Sequence, residues 1–455
     1  MIKLTALIET LFRRYLPSPF SIALLLTALT FLLALAFTEP PGNESHWLAL
    51  LSYWEAGIWQ KELLVFAYQM MLILVLGHML VLSPPVARFI DRITYGIKST
   101  NQAVVLVAVS TMLISFFNWG LGLIFGALMA RKVGESAQKQ GKKINYPLVG
   151  AAAYVGMMIW HGGISGSAPA KVGEQGHLSS LVSSNIGNQL PDYLAYTETV
   201  LSAQNLVVFG ILLLAVPLFL IWLGRSTDRV EELMPLLTPK NPDKNKRSSG
   251  WSWDESRLLA YAFGAAVLIA FFVNYGTALS KGVVTPNMLN FFMLGMIFFL
   301  HGRISNILRA VEEAISGASG ILIQFPLYFG IMGLMQGSGL VVTIADYFVT
   351  LSTPTTLPLL TFLSAAIVNI FIRSGGGQWA IQGPVILEAA VALKVPVAKV
   401  VMALAYGDQL TNMLQPFWAL PLLGITRLKA NQLLPFTLWV MLLGTVVFVT
   451  ALLLW

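Results

Sequence analysis

A short polar segment lies inside one of the most apolar regions of the chain. It reads FIRSGGGQWAIQG over residues 371–383. Ser374 is a good helix N-cap, and three glycines after it would let a ligand approach the backbone closely. Arg373 could form a bidentate pair with a carboxylate. The segment therefore predicts a binding site for an organic anion, formed by Arg373, Ser374, Gly375, Gly376, Gly377 and Gln378.

A second polar cluster follows in AYGDQLTNMLQPFWALP, which contains the clearest carboxylate of the apolar regions. Asp408, with Asn412 and Gln415 on neighbouring turns, could hold Na⁺ or carry H⁺, and Asn369 supplies one more amide oxygen. The alternative for Asp408 is helix capping. Arg373 also has alternatives, since it could snorkel to the outer surface or pair structurally with Asp408.

The first half of the chain contains a matching set of polar residues. Asn118 and Gly120 interrupt the apolar run NWGLGLIFGALMAR, and HGGISGSAP at residues 161–169 contributes His161, Ser165 and Ser167. We expect these residues to contact the anion, with Asn118 near the coupling ion as well. Two alternatives stay open: the glycines could serve close helix packing, and His161 could be a structural hydrogen bonder.

Gly163-Ile164-Ser165-Gly166 also matches the G-x-S-G pattern of intramembrane serine hydrolases. Nucleophilic catalysis needs a partnered base, and no second motif identifies one, so an enzyme using Ser165 is a weak alternative. A passive anion channel is a third hypothesis, because interrupted helices also build ion filters. No GxxxxGK[ST] motif indicates an ATP-driven pump, and we expect no cofactor beyond a coupling ion.

The elements that carry these residues are apolar helices. The 455 residues are 56% hydrophobic and 11% charged, with a mean hydropathy of +0.73, which excludes an ordinary soluble protein. A bilayer core about 30 Å thick needs roughly 20 apolar residues per helix. We predict an all-α polytopic membrane protein with about nine full spans, at 20–38, 62–83, 145–168, 199–223, 258–279, 287–301, 316–336, 400–424 and 432–454.

Two further apolar stretches are not among the nine predicted spans: 103–130 and 357–393. Each has a polar centre that contains glycine, and each is predicted to be a re-entrant helical hairpin. Basic residues precede and follow the first stretch, so the positive-inside rule places both of its flanks in the cytoplasm. Its 28 residues make two arms of about 21 Å each, with the tip at Asn118. With this topology 22 of the 28 Lys and Arg residues are cytoplasmic, the N-terminus is cytoplasmic and the C-terminus periplasmic.

The formal charge of +7 is therefore interpreted as a topology signal, and no nucleic-acid partner is expected. The chain contains no cysteine, which excludes disulfides and thiolate metal sites. Na⁺ is the only metal ion that these residues suggest.

The chain also divides into two halves with similar features in the same order. Residues 1–224 contain the first hairpin and a broken helix at about 145–170, and residues 280–455 contain the second hairpin and a broken helix at about 400–424. A cytoplasmic linker at 225–257 and a linking span at 258–279 separate them. Asn118 corresponds in order to Asn369, and Tyr154 to Tyr406. The span count places the hairpins on opposite faces, which predicts inverted-topology repeats.

At FIRSGGGQWAIQGP, AYGDQLTNMLQPFWALP and NWGLGLIFGALMAR the sequence resembles the short-chain fatty acid transporter family, the acetoacetate and butyrate permeases of bacteria. The resemblance covers nearly the whole chain, from LPSPF near residue 16 to the last span. It implies inverted repeats, a scaffold domain and a mobile transport domain that moves as an elevator. It also implies a homodimer in the bacterial inner membrane.

By this resemblance, four segments line the substrate and ion sites: Asn118–Gly122, His161–Ser167, Asn369–Gln378 and Asp408–Gln415. Broken helices expose backbone amides and carbonyls that can hold a carboxylate beside a cation, which is how paired discontinuous helices act in secondary transporters. We therefore expect a secondary active importer of small monocarboxylates such as butyrate and acetoacetate, coupled to Na⁺ or H⁺.

Overall fold

The protein is described by a computed structural model that covers residues 14, 17–40, 42, 45–182, 184–225, 253–280 and 285–455. All the regular structure in those ranges is helical, which confirms the predicted all-α class. Residues 226–252, most of the predicted cytoplasmic linker, lie outside the described residues.

The helices of the first half are α1 Pro19–Phe37, α2 His46–Ile58, α3 Lys61–Leu82, α4 Pro84–Tyr95, α5 Thr100–Phe117, α6 Trp119–Lys139, α7 Tyr146–Tyr154, α8 Ser167–Val172, α9 His177–Ser180, α10 Ser184–Gly187 and α11 Ala203–Arg225. Those of the second half are α12 Arg257–Ser280, α13 Pro286–His301, α14 Ile304–Ala314, α15 Ser319–Gly337, α16 Leu340–Thr350, α17 Leu357–Phe371, α18 Gly375–Ala392, α19 Val397–Thr411, α20 Pro416–Thr426 and α21 Ala430–Leu454.

Six helical stretches of the described chain are long and apolar enough to cross a membrane. The number becomes seven if α15 and α16, which meet at a 58° bend, form one broken span. Several of these helices expose large apolar side chains; Leu258 and Val273 of α12 are 81% and 77% exposed. Such surfaces suit lipid and not water. The structure thus supports a multi-pass membrane protein, while the count of nine spans stays a prediction.

Both interrupted stretches break close to the predicted positions. α5 ends at Phe117 and α6 begins at Trp119, so the break falls on Asn118. α17 ends at Phe371 and α18 begins at Gly375. The arms of each pair pack against each other, α5 on α6 and α17 on α18. Their re-entrant insertion and the inverted repeats stay predictions.

Helix α2 is absent from the sequence-based span list, because His46, Ser52, Glu55 and Gly57 interrupt its apolar pattern. It packs tightly on α15 through two glycines. A Cβ atom on Gly57 would lie 2.5 Å from the Phe329 carbonyl oxygen, and one on Gly333 would lie 2.3 Å from the Tyr53 carbonyl oxygen. Only glycine permits helices to approach this closely.

The main helix packing defines two groups. The frame helices, α1–α3 and α12–α15, pack on one another, with α15 against α1 and α2, and α13 against α3 and α12. The site helices, α5–α8, α11 and α17–α21, form the second group. Along the chain, α4 connects α3 to α5, and α16 connects α15 to α17. The predicted hairpins and broken helices therefore all belong to the site helices.

A buried charge cluster links the two groups. Arg131 of α6 is 5% exposed, and its Nε donates to Glu135 Oε1 at 2.8 Å. Its Nη1 lies 3.0 Å from His78 Nε2 of α3, and its Nη2 lies 3.7 Å from Glu313 Oε1 of α14. His78 is thus a contact between a frame helix and a site helix.

Candidate functional site

Two broken helices of the site group contact each other at the 3-10 turns where they are interrupted. α7 is followed by a 3-10 turn at Val155–Met158 and an irregular segment before α8 begins at Ser167. α19 is followed by a 3-10 turn at Asn412–Leu414, and Pro416 starts α20. Pro at the first helical position has no backbone N–H to leave unpaired, so the chain can restart a helix there. These breaks place polar side chains and free peptide groups among buried helices.

His161 and Asp408 connect the two broken helices directly. Their side chains are 0% and 1% exposed, and His161 Nδ1 is hydrogen-bonded to Asp408 Oδ2. The amide of Ala168 donates to His161 Nε2 at 3.0 Å. Since Nε2 accepts a hydrogen bond, we assign the imidazole proton to Nδ1, which donates to the carboxylate. Asp408, one predicted partner of Arg373, is therefore engaged by His161.

Side chains satisfy the exposed backbone of the first break. Gln409 Oε1 accepts hydrogen bonds from the amides of His161 and Gly162, each at 3.0 Å. Asn205 Nδ2 donates to the Gly162 carbonyl at 2.8 Å, and Tyr406 donates from its hydroxyl to Asn205 Oδ1 at 2.9 Å. Sequence reasoning missed Gln409 and Asn205. An unwound segment inside a bundle needs such partners.

The second break leaves two side-chain oxygens without hydrogen-bond donors. Asn369 Nδ2 donates to the Asp408 carbonyl at 2.5 Å and to Asn412 Oδ1 at 2.9 Å. Gln415 Nε2 donates to the Asn369 carbonyl at 2.6 Å. Asn369 Oδ1 and Gln415 Oε1 are buried and have no donor among the described residues. Unpaired buried oxygens are suited to a cation such as Na⁺.

The start of α18 forms a helix N-terminus with open amides. Ser374 Oγ accepts from the Gly377 amide at 3.2 Å, as the sequence predicts for an N-cap. Gly375 must be glycine, because a Cβ there would lie 2.7 Å from His161 Cε1 and 2.8 Å from Trp160 Cη2. A Cβ on Gly376 would contact only Ser167, at 3.8 Å from its Cβ and 3.9 Å from its Oγ.

Arg373 is a buried charge of this site, and two of its nitrogens have no hydrogen-bond partner among the described residues. It is 3% exposed, so it does not snorkel to the surface. The guanidinium carbon lies 4.0 Å from the Tyr328 ring centroid of α15 and 5.8 Å from that of Phe417 in α20. Its Nε and Nη1 have no hydrogen-bond partner within the described chain. Buried charges are usually paired, so this guanidinium is free to bind an anion.

A cavity of about 260 Å³ adjoins Arg373 and lies between the frame helices and the site helices. We call it the aromatic cavity, because six of the twelve residues that line it are aromatic. The frame side contributes Leu63, Phe66, Phe329 and Met332, and the site side contributes Trp119, Trp160, Ser167, Arg373, Ser374, Gly375, Phe417 and Trp418. Of the predicted site residues, four line it: Ser167, Arg373, Ser374 and Gly375.

Other predicted residues make hydrogen bonds near the α5–α6 and α17–α18 interruptions and do not line the cavity. Ser165 Oγ accepts from the Trp119 amide at 3.0 Å, and Asn118 Oδ1 accepts from the Leu121 amide at 3.0 Å, with Gly120 in the same turn. Gln378 is fully buried and donates to the Ala365 carbonyl at 2.9 Å, on the α17 side.

The aromatic walls were missed because each aromatic residue taken alone is ordinary in an apolar helix. Their position beside the breaks is a signal that could have identified them: Trp119 follows Asn118, Trp160 precedes His161, and Phe417 and Trp418 follow Pro416, the first residue of α20.

Trp379 of α18 contacts His177, the first residue of the short helix α9. Its indole Nε1 donates to His177 Nε2 at 3.0 Å, and Trp379 is 1% exposed. Burial, and then the nearby Lys171 charge, lower the pKa of His177 below its ordinary value of 6.5. The imidazole is therefore kept neutral, as an acceptor must be. This contact positions the second half of the interrupted stretch.

A family model described as "Short chain fatty acid transporter" matches residues 1–455. The chain belongs to this family. A relative from Haemophilus influenzae is 34% identical over 99% of both chains, and one from Escherichia coli is 34% identical over 96% of both. Both are provisionally named short-chain fatty acid transporters. The family membership confirms the resemblance.

A solved structure of Neisseria gonorrhoeae MtrF, reported with a class of antimetabolite efflux pumps, aligns with this transporter over 99% of this chain and 97% of that chain. The identity is 13% and the TM-score is 0.34.

As a member of a transporter family, the protein is a transporter and not an enzyme. The serine hydrolase hypothesis is wrong on this ground, and the geometry agrees with its rejection. Ser165 accepts from the Trp119 amide, and both ring nitrogens of His161 are engaged by Asp408 and the Ala168 amide. Nor do the described residues contain a cluster of three His, Cys, Asp or Glu side chains that would suit a transition metal.

Proposed function

We propose that the protein is a secondary active transporter that imports short-chain monocarboxylates such as butyrate or acetoacetate, with Na⁺ or H⁺ as the coupling ion. The observation that carries the proposal is Arg373, a buried guanidinium with unpaired nitrogens beside a cavity. The open amides at the start of α18 and its positive dipole end add to the attraction for a carboxylate. Ser167 and Ser374 supply hydroxyls at the same cavity.

The charge inventory favours one carboxylate over two. Arg373 is the one ionisable residue among those that line the aromatic cavity. A dicarboxylate would bury a second charge against aromatic and aliphatic side chains, with no cation to pair with it. Such an unpaired charge costs several kcal/mol. The apolar walls instead suit the alkyl end of a fatty acid.

The coupling ion belongs close to the second break. Asn369 Oδ1 and Gln415 Oε1 are unpaired oxygens, and Asn412 and Asp408 are hydrogen-bonded to the same cluster. These oxygens favour Na⁺, and Asn118, between α5 and α6, is the proposed counterpart in the first half of the chain. H⁺ is the alternative, carried on the Asp408–His161 pair. In either case the proposed ion site is close to the proposed carboxylate site along the chain, since Asn369 precedes Arg373 by four positions.

The position of the cavity supports an elevator mechanism. Its wall is shared between frame helices and site helices, and α4 and α16 connect the two groups. In the proposed cycle the stretches 103–130 and 357–393 are re-entrant hairpins of two inverted repeats. They move with the bound substrate past the frame helices, which act as the scaffold. The frame is held tightly together by the α2–α15 crossing at Gly57 and Gly333.

The proposed setting is the bacterial inner membrane, with the N-terminus in the cytoplasm and the C-terminus in the periplasm. We propose a homodimer, as the family resemblance implies. Lipid-exposed residues of α12 such as Leu258 and Val273 leave a large apolar surface available for lipid or for a second copy.

Counterflow in proteoliposomes tests the proposal. Vesicles containing the purified transporter are loaded with unlabelled butyrate, and uptake of labelled butyrate is followed without an ion gradient, then with a Na⁺ gradient or a pH gradient alone. We expect transient accumulation by counterflow and sustained accumulation under one gradient, while succinate does not compete. Equilibration without accumulation under any condition would identify a passive channel. Absence of any butyrate movement would refute the proposal.

A further inference from the structure

The guanidinium of Arg373 lies on an aromatic ring that belongs to the frame helices. Its carbon is 4.0 Å from the ring centroid of Tyr328 in α15, and Tyr328 is 1% exposed. A cation over the face of an aromatic ring is attracted by the electron-rich face, and the attraction is strongest where water is excluded. A frame residue therefore holds the charged side chain of a site residue.

This contact occupies the face of the guanidinium and leaves its edges free. The N–H groups of arginine lie in the plane of the guanidinium and point outward, so a ring above that plane does not accept hydrogen bonds from them. Nε and Nη1 of Arg373 indeed have no partner among the described residues. Arg373 lines the aromatic cavity, whereas Tyr328 is not among the twelve residues that line it. A carboxylate in the cavity can thus pair with the edge while the ring stays on the face.

The Tyr328 ring is itself fixed from two sides. Its hydroxyl donates to the Pro19 carbonyl of α1 at 3.1 Å. The ring also makes an edge-to-face contact with Phe417 of α20, with centroids 5.1 Å apart at 88°. Phe417 in turn stacks on Phe325 of α15 at 4.1 Å. A ring held in this way restricts where the guanidinium above it can lie.

We infer that Tyr328 is a positioning residue for substrate binding, because it holds the Arg373 guanidinium by its face and presents the free edge to the cavity. The inference rests on the proposed function, since it assumes that Arg373 binds the substrate carboxylate. Arginine is among the side chains that lose most rotamer freedom when they are fixed. An arginine that the ring already holds loses less of that freedom when the carboxylate binds. Because Tyr328 belongs to the frame, the carboxylate site is complete only while the start of α18 lies beside α15.

Replacing the ring with an aliphatic side chain should weaken butyrate binding without abolishing it. Tyr328→Leu keeps an apolar side chain but removes the ring face, so butyrate must then order the guanidinium. Ordering one such side chain corresponds to a roughly 2- to 12-fold rise in Kd. Tyr328→Phe keeps the ring face and loses only the hydrogen bond to Pro19, so its Kd should stay within about twofold of the original.

The test is calorimetric titration of the full-length transporter in detergent with butyrate, together with melting temperatures. Met335→Ala is the control for general loss of stability, since Met335 lies in the same helix, is 0% exposed and does not line the cavity. It should lower the melting temperature and leave the Kd unchanged. If Tyr328→Leu does not fold, Tyr328→Met supplies a second variant without a ring, because methionine adapts to irregular gaps.

The outcomes separate the inference from the proposed function. A higher Kd in the ring-free variant, with a normal Kd in Tyr328→Phe, would support positioning. An unchanged Kd in the ring-free variant would overturn it, and a lower Kd would show that the ring competes with the carboxylate. Equal weakening in Tyr328→Phe would also overturn it. Absence of butyrate binding by the original protein would instead refute the proposed function.

A second background distinguishes positioning from a purely structural role. In Arg373→Lys the ammonium has three rotatable donors and needs no fixed plane. Adding Tyr328→Leu to this variant should therefore change the Kd for butyrate by less than about twofold, because the ring has no planar group to orient. The same fold-change in both backgrounds would show that the ring acts on the cavity as a whole and would overturn the inference.

Discussion

Replacing Arg373 with glutamine should remove substrate binding without weakening the empty protein. In the ligand-free structure the guanidinium is 3% exposed, and two of its nitrogens have no partner in the described chain. Leaving such groups buried costs about 1–3 kcal/mol each, which exceeds what the ring contact with Tyr328 returns. A neutral amide lowers that cost, because it removes the buried charge. The melting temperature of ligand-free Arg373→Gln is therefore expected to match or exceed that of the original protein.

Carboxylate binding by Arg373→Gln should weaken, although its ligand-free stability should not fall. Hydrogen bonds to a charged group contribute about 1.5–3 kcal/mol each, so loss of a two-bond pair with carboxylate weakens binding by at least about 3 kcal/mol, or roughly two orders of magnitude in Kd. Arg373→Lys keeps the charge but loses the planar fork of the guanidinium. Its Kd for the carboxylate should therefore lie between that of the original protein and that of Arg373→Gln.

Calorimetric titration with butyrate, together with melting temperatures with and without butyrate, measures both effects. Arg303→Gln is a matched control, since Arg303 is an exposed arginine paired with Glu255 at 2.8 Å, far along the chain from the site. The control should bind butyrate normally. Unchanged butyrate binding in Arg373→Gln would refute the role of Arg373, and a large fall in its ligand-free melting temperature would show that the arginine is structural.

Three further predictions concern the surroundings of the site. Asp408→Asn should abolish uptake driven by an ion gradient while butyrate binding changes little; normal accumulation by this variant would exclude the ion role. Gly375→Ala should abolish transport, because its Cβ would lie 2.7 Å from the His161 ring, whereas Gly376→Ala, with space for a methyl group, should transport normally. The neutral form of His177 is favoured by folding, so its contribution to stability is present above pH 6.5 and is lost as pH falls through the lowered pKa. Melting temperatures between pH 7.5 and 5 should fall further for the original protein than for His177→Gln; equal falls would contradict this.

The interrupted helices were predictable from sequence because local chemistry determines them. Asn118 lies at the break between α5 and α6, and Ser374 caps α18, as expected of an N-cap residue beside glycines. The correspondence of the two halves stays a prediction. By position at the start of the second arm, Asn118 matches Ser374 and not Asn369. Tyr154 ends its helix, whereas Tyr406 lies five residues before the end of α19.

The pairing within the site could not be read from sequence. His161 and Asp408 are 247 residues apart, and no periodicity relates them. Arg373 was expected near a carboxylate or at the surface, and it lies against Tyr328 from a frame helix. The side of a helix that faces another group of helices depends on tertiary packing, which hydrophobicity alone does not define where every face is apolar. The aromatic cavity was missed for the same reason.

The contact between Arg131 and the frame helices has a practical consequence. If the site helices slide during transport, Arg131 must leave His78 and Glu313 in every cycle, and it does so while Glu135 travels with it. Removing both frame partners would shorten the lifetime of the present conformation without touching the substrate pocket. A double replacement of His78 and Glu313 is thus a rational starting point for capturing the opposite-facing state by electron cryomicroscopy.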